Sequence, residues 1–168
     1  MKTTIQMTGL RELGLAMKEL DARLQKKVGR NAVAAGARII QKQAKQNAPV
    51  LKEPAPNRKP GTIKKQIRTK AERRKDGTFE ARVWVKGIGK KKVNEFKAAT
   101  GRKSSENPDD PWYWWLVEFG TARTPAQPFM RPAFEAKKVE AARKIQSNLS
   151  DRLEKEAAQI GRTVGRAK

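Results

Sequence analysis

The chain of 168 residues contains no cysteine and no histidine. The first absence excludes disulfides, a thiolate nucleophile and cysteine-ligated metals, and leaves the chain indifferent to redox compartment. The second removes the commonest general base and metal ligand. No apolar run approaches the ~20 residues of a membrane span, and Met1-Lys2-Thr3-Thr4-Ile5-Gln6-Met7 lacks the apolar centre of a signal peptide. The chain is therefore expected to stay in the cytoplasm where it is made, with no membrane partner. A phosphate-cradling Gly-Lys-Ser/Thr motif, a dinucleotide fingerprint and a calcium loop are all missing. Catalysis would need paired carboxylates, a Ser/Lys arrangement or a Lys nucleophile. Asp109-Asp110 and Glu118 are close in sequence, but adjacent acids in a loop are usually just solvated. The expectation is a non-enzyme with no cofactor and no metal.

Positive charge is what the chain has in excess. Its 39 Lys and Arg against 17 Asp and Glu give a formal charge of +22. That excess is spread along the chain, with +7 in residues 1–50, +10 in 51–110 and +5 in 111–168. Lys and Arg that neutralise phosphates gain affinity by releasing counterions, so nucleic acid is the leading partner class. A basic surface that merely keeps the chain soluble is the alternative. The 37% hydrophobic content is low and predicts one domain over 1–168 with a moderate core and much solvated helix surface.

Periodicity assigns the elements. Residues Thr3 to Met7 alternate as a short half-buried strand. Leu10, Leu13, Met17, Leu20, Leu24, Val28, Ala32, Ala35 and Ile39 then recur at three or four residues, an amphipathic helix closed by Asn47-Ala48-Pro49. Unbroken over 10–47, it would be a rod of about 57 Å; a bend at Gly29 would make it two helices. Pro54, Pro56 and Pro60 make 50–61 an exposed, mobile loop. Thr62 to Lys70 is either a helical turn entering a strand or a strand throughout, Ile63 and Ile67 favouring the helical start. Asp76-Gly77 and the alternating Phe79 to Lys86 predict a hairpin of about 66–74 and 78–86. In it Phe79, Ala81, Val83 and Val85 face the core and Trp84 faces out. Residues 87–110, with three glycines and Lys90-Lys91-Lys92, read as a mobile basic loop. The fold class is α+β.

The aromatic residues are concentrated further on. Residues 112–134 hold three of the four tryptophans, the only tyrosine and three of the five phenylalanines. Asp110-Pro111 reads as an N-cap with proline at the first helical position, and Gly120 as a C-cap, giving a short helix 111–119 with Trp112, Trp115, Leu116 and Phe119 on one face. The same aromatic content leaves a strand as the alternative. Glu118, near the unfavourable end of the helix dipole, either meets Arg123 or Arg131 or is exposed without a partner. Pro125 and Pro128 stiffen the loop that follows. A long C-terminal helix runs from Pro132 through Phe134, Ala141, Ile145, Leu149 and Leu153 to about Gly161, leaving a basic tail 161–168.

Tyr113 followed by Val117-Glu118-Phe119-Gly120-Thr121 and Pro128-Phe129-Met130-Arg131-Pro132-Ala133 resembles the small head-tail joining or tail-completion proteins of long-tailed bacteriophages. Weaker echoes are Gly9-Leu10, Ala48-Pro49 and Gly61-Thr62-Ile63-Lys64-Lys65-Gln66-Ile67. Departures are Ile63-Lys64 for the usual Leu-Arg, an enlarged proline-rich loop and the long basic segment 87–110. The resemblance implies a non-enzymatic neck component of the virion, present in the host cytoplasm during assembly. It implies a ring around the DNA channel, a hexamer by similarity to such neck components, touching adjoining neck or tail proteins and, non-specifically, genomic DNA. The expected contact residues are Trp112, Tyr113, Trp115, Glu118, Phe119, Gly120, Thr121, Pro128, Phe129, Arg131 and Pro132. The expected DNA-facing residues are Lys90, Lys91, Lys92, Arg102, Lys103, Arg162, Arg166 and Lys168. A sequence-independent nucleic-acid-binding protein outside the virion is the alternative.

Overall fold

The structure is a computed structural model describing residues 22–53 and 55–166; the strand expected at Thr3–Met7 and the first turns of the expected N-terminal helix lie outside them. Helix and sheet are mixed, as the α+β expectation requires. In chain order the elements are α1 (Ala22–Asn47), α2 (Thr62–Gln66), β1 (Ile67–Arg73), β2 (Phe79–Val85), α3 (Lys90–Thr100), a 3-10 turn (Ser104–Glu106), α4 (Trp114–Phe119) and α5 (Met130–Arg166). The two strands form one antiparallel pair.

Contacts cluster in two compact units. The second comprises Ile40–Arg68 and Val83–Lys137; the first comprises the remaining described residues. In the first unit Val28 and Ala32 of α1 are buried with Leu149 of α5, and Leu24, Ile145 and Leu153 pack around them, the heptad-like stripes that periodicity predicts. α1 runs through Gly29 without a break. A Cβ at Gly29 would stand 2.4 Å from the Phe79 ring, and one at Gly36 would stand 2.6 Å from Ile145 Cγ1. These glycines are sites of close approach and not hinges, which outweighs the ~1 kcal/mol each costs a helix relative to alanine.

Tight-turn chemistry shapes the hairpin tip in this unit. Asp76 Oδ1 accepts from the backbone N–H of Thr78 at 2.9 Å and from its hydroxyl at 2.7 Å, and Gly77 adopts φ 87. Glu72 pairs with Lys70 on its own strand and with Arg82 across the hairpin, and Glu80 pairs across it with Arg74.

In the second unit Ala44, Ala48, Ile63, Ile67, Val85, Phe129 and Ala133 form the buried core, flanked by Val83, Tyr113, Trp114, Val117 and Met130. Gln41 Nε2 donates to the Ile67 carbonyl at 2.7 Å, where α2 passes into β1. The 50–61 segment closes on itself in a turn, with an antiparallel bridge between Ala55 and Arg58 and Asn57 at φ 58.

Three expectations need correction. Residues 87–110 are not an irregular loop, since α3 and a 3-10 turn occupy much of them. Between Gly89 and Gly101 the chain has no proline and is rich in helix formers, Lys91 lies 4.0 Å from Glu95 one turn on, and Gly101 closes the helix at φ 67. The C-terminal helix does not stop near Gly161 but continues to Arg166, so most of the expected tail is helical. Finally, the short aromatic helix begins at Trp114 and not at Pro111, which lies in the turn ahead of it; on this helix Trp115 and Phe119 are exposed and the buried residue is Glu118.

Candidate functional site

The aromatic segment sits wholly within the second unit and is held in place from both ends. At its start Pro111 is fully buried and the Asp110 carboxyl lies towards the backbone N–H groups of Ile88 and Trp112. The N-cap of α4 is Tyr113 and not Asp110. Burial pushes the Asp110 carboxyl above the ordinary aspartate value, those two N–H donors opposing the rise. Trp112 donates its indole N–H to the Ser105 carbonyl at 2.8 Å. The Arg58 guanidinium lies 4.2 Å from the Tyr113 ring centre and 5.1 Å from that of Trp112, and Lys59 pairs with Asp109 at 2.9 Å. The proline-rich turn is thereby fastened to the aromatic segment. Nothing in the sequence marked Arg58, because a single arginine in a basic loop has no local pattern.

At the other end lies the central feature of this region. Glu118 is 2% exposed. Its Oε2 accepts from the N–H groups of Phe129 and Met130 at 2.8 and 2.9 Å, and its Oε1 from that of Arg131 at 3.0 Å. These are the N-cap and first two positions of α5. An α-helix begins with four backbone donors that have no intrahelical acceptor. Here three go to one carboxylate, and the fourth position is Pro132, which has no N–H. The negative charge also meets the positive end of the helix dipole. Glu118 is thus neither solvated nor chiefly an ion-pair partner; Arg131 Nε is 4.0 Å from Oε1, a secondary contact.

The intervening loop is shaped to make this possible. Gly120 caps α4 with its N–H on the Leu116 carbonyl and adopts φ 77, ψ 179, a region open essentially to glycine alone; a Cβ there would stand 2.9 Å from Ala126 N. Thr121 Oγ1 accepts from the N–H groups of Arg123 and Thr124, at 3.2 and 3.0 Å. Gln127 N–H returns to the Val117 carbonyl at 2.8 Å, which delivers Phe129, completely buried, into the core.

The expected contact residues therefore divide. Glu118 and Phe129 are interior and present nothing to a partner, Tyr113 is half-buried against the core, and Gly120, Thr121 and Pro132 shape the backbone. Trp115 at 48% and Phe119 at 59% exposure present an outward aromatic surface on consecutive turns of α4, and Trp112 and Phe134 are exposed as well. Arg131 lies over the Phe119 ring at 4.8 Å, with a side chain 68% exposed. Pro128 is exposed beside them.

Comparisons with protein-family models, curated proteins and solved structures return no match to the chain.

Among the expected DNA-facing residues, Lys90, Lys91 and Lys92 form the exposed first turn of α3, and Arg102 and Lys103 are exposed just after it. α3 buries no residue and has no acid in its first turn, so three lysines sit at the helix end where the dipole disfavours cations. Arg162 and Arg166 fall in the last turns of α5, and Lys168 lies outside the described residues. Among the described residues no group of three or more acids is placed to hold a metal ion, and no helix is long and apolar enough to cross a membrane.

Proposed function

We propose that the chain is a structural virion protein of a long-tailed phage, acting at the head-tail junction to complete the tail or join it to the head around the DNA channel. The observation that carries this reading is the exposed aromatic surface of Trp115 and Phe119 on a helix fastened at both ends. Large apolar side chains left in water on consecutive turns favour contact with another macromolecule. A surface already rigid loses little conformational entropy when it docks. The partner class comes from the motif resemblance, and the distributed positive charge suits a DNA passage. A ring of copies, six by analogy with similar neck components, needs head-to-tail interfaces that close.

The test is complementation with Trp115→Ser combined with Phe119→Ser, in a chain shown by circular dichroism to melt as the wild type does. Filled heads and unattached tails should accumulate. Normal joining by that variant sinks the proposal.

A second reading, sequence-independent nucleic-acid binding outside the virion, is favoured by the uncapped Lys90-Lys91-Lys92 turn. It requires the isolated chain to bind free duplex tightly, with affinity falling steeply as salt rises, and replacement of the three lysines by alanine to flatten that slope by about 3 × 0.9 in log–log terms.

A further inference from the structure

A groove of about 510 Å³ opens in the second unit beside the aromatic surface. Pro49, Val50 and Leu51 form one side, Ile63 and Leu116 contribute further apolar surface, and the Thr121–Pro125 stretch forms another side. Val50 and Leu51 stand in water, Leu51 at 40% exposure, although Ala48 just ahead of them and Ile63 in the groove lining both belong to the core of the same unit. Two lysines, Lys52 and Lys59, also line the groove and no carboxylate does. Lys59 already has Asp109; among the described residues Lys52 has no acid within ion-pair distance.

We propose that this groove docks a protein segment that carries aliphatic side chains and carboxylates. The inference rests on the contact role proposed above and refines it by naming the partner's chemistry. Three occupants fit an apolar, positively framed cleft, and the surroundings separate them. A second copy would bring the same positive groove, from a unit with eighteen Lys and Arg against seven Asp and Glu, and like charges brought together oppose docking. Single-stranded nucleic acid needs open aromatic faces for base stacking. The one aromatic ring lining the groove, Tyr113, is half-buried and has the Arg58 guanidinium 4.2 Å from its centre, and the rest of the lining is aliphatic, proline, hydroxyl, amide and lysine. An acidic segment with leucine-like side chains satisfies both the walls and Lys52.

The experiment uses the full chain and four probes: an octapeptide alternating leucine with glutamate, its leucine–lysine counterpart, octaglutamate and an oligo-dT strand. Binding is read by anisotropy of the labelled probe and by methyl NMR of Leu51 and Leu116. The leucine–glutamate peptide should shift those methyls and bind at least ~10-fold tighter than either peptide control, the usual scale of a groove anchor. Leu51→Asp, at an exposed loop position, should remove that preference, and Lys52→Glu should transfer it to the leucine–lysine peptide. Four results overturn the proposal: octaglutamate binding as well as the mixed peptide, Leu51→Asp leaving binding unchanged, oligo-dT shifting the same methyls, or a peptide-free dimer that Leu51→Asp abolishes. Head-tail joining by the Trp115 and Phe119 variants is read separately, so failure of the groove leaves the virion proposal standing or falling on its own assay.

Discussion

Replacing Glu118 by alanine removes the acceptor for three backbone donors at once. Phe129 N–H is buried, Met130 N–H is half-covered and Arg131 N–H is near solvent, so water can replace the carboxylate at only some of them. Loss of a helix cap costs about 1–2 kcal/mol, the dipole interaction contributes up to about 2 in a buried setting, and each stranded buried donor adds about 1–3. These contributions overlap, and about 3–4 kcal/mol is expected for Glu118→Ala. Glu118→Gln keeps one oxygen, able to serve two of the three donors, and turns an amide N–H₂ towards the third; about 1–2 kcal/mol is expected. For a chain of this size the alanine variant should melt roughly 6–16 °C lower. Urea unfolding gives the free energies, and amide hydrogen exchange at Phe129 and Met130 reports whether the loss is local to the start of α5. A cost below about 1 kcal/mol for alanine, or a glutamine variant less stable than the alanine one, refutes the assignment of Glu118 as the cap of α5.

Other consequences are equally specific. Gly29→Ala places a methyl 2.4 Å from the Phe79 ring; overpacking of about 1–3 kcal/mol should exceed the ~1 kcal/mol helix gain, and in a Phe79→Leu background the sign should reverse, which a urea double-mutant cycle reads. Arg58→Gln removes the guanidinium from Tyr113 and Trp112 and should cost about 1 kcal/mol with a red shift of tryptophan emission; unchanged emission counts against the stacking. Hydrogen bonds from Lys70 and Arg82 hold the Glu72 carboxyl below its ordinary value, and those from Thr78 do the same for Asp76. Their stabilising contribution is therefore present above the unfolded values near pH 4 and is lost as pH falls through the lower folded values. Asp110 is raised by burial, so its ionisation opposes folding and its protonation on acidification favours it. Carboxyl NMR should show Asp110 titrating at a higher pH than Asp76, and the opposite order rejects both placements.

How far the sequence could be read depended on whether a signal was local. The hairpin emerged within a residue at each strand because Asp76-Gly77 and the alternation of Phe79 to Val85 are self-contained. The packed stripes of α1 and α5 emerged for the same reason. α3 was missed because lysine and glycine, taken singly, resemble loop composition, while the helix depends on their order between two glycine ends. α4 starts three residues later than the Asp110-Pro111 signal suggests, because those two residues belong to the turn ahead of it, closed by the Trp114 N–H on the Pro111 carbonyl. Glu118 has greater need of burial: three donors eleven to thirteen residues away await it, and no window along the chain contains both ends of that arrangement. With Glu118 turned inward to those donors, Trp115 and Phe119 of the same six-residue helix remain in water.

That geometry changes what the motif can say. Glu118 caps α5, Gly120 makes the backbone turn, Phe129 fills the core and Pro132 removes the remaining unpaired donor. Each has a sufficient reason to be present in the folding of this one chain. A sequence that shares these residues is expected to share the clasp between a short helix and the start of a long one, whatever it docks against, because function resides in sites placed on a fold. Large apolar side chains left in water in this region include Trp115, Phe119, Val50 and Leu51, each exposed at a sacrifice of burial worth about 1.5–3 kcal/mol for a large apolar group. On the proposed docking role, partner contact is to be sought first at such exposed side chains, and substitutions at Glu118 or Phe129 that abolish assembly would report unfolding before they reported docking.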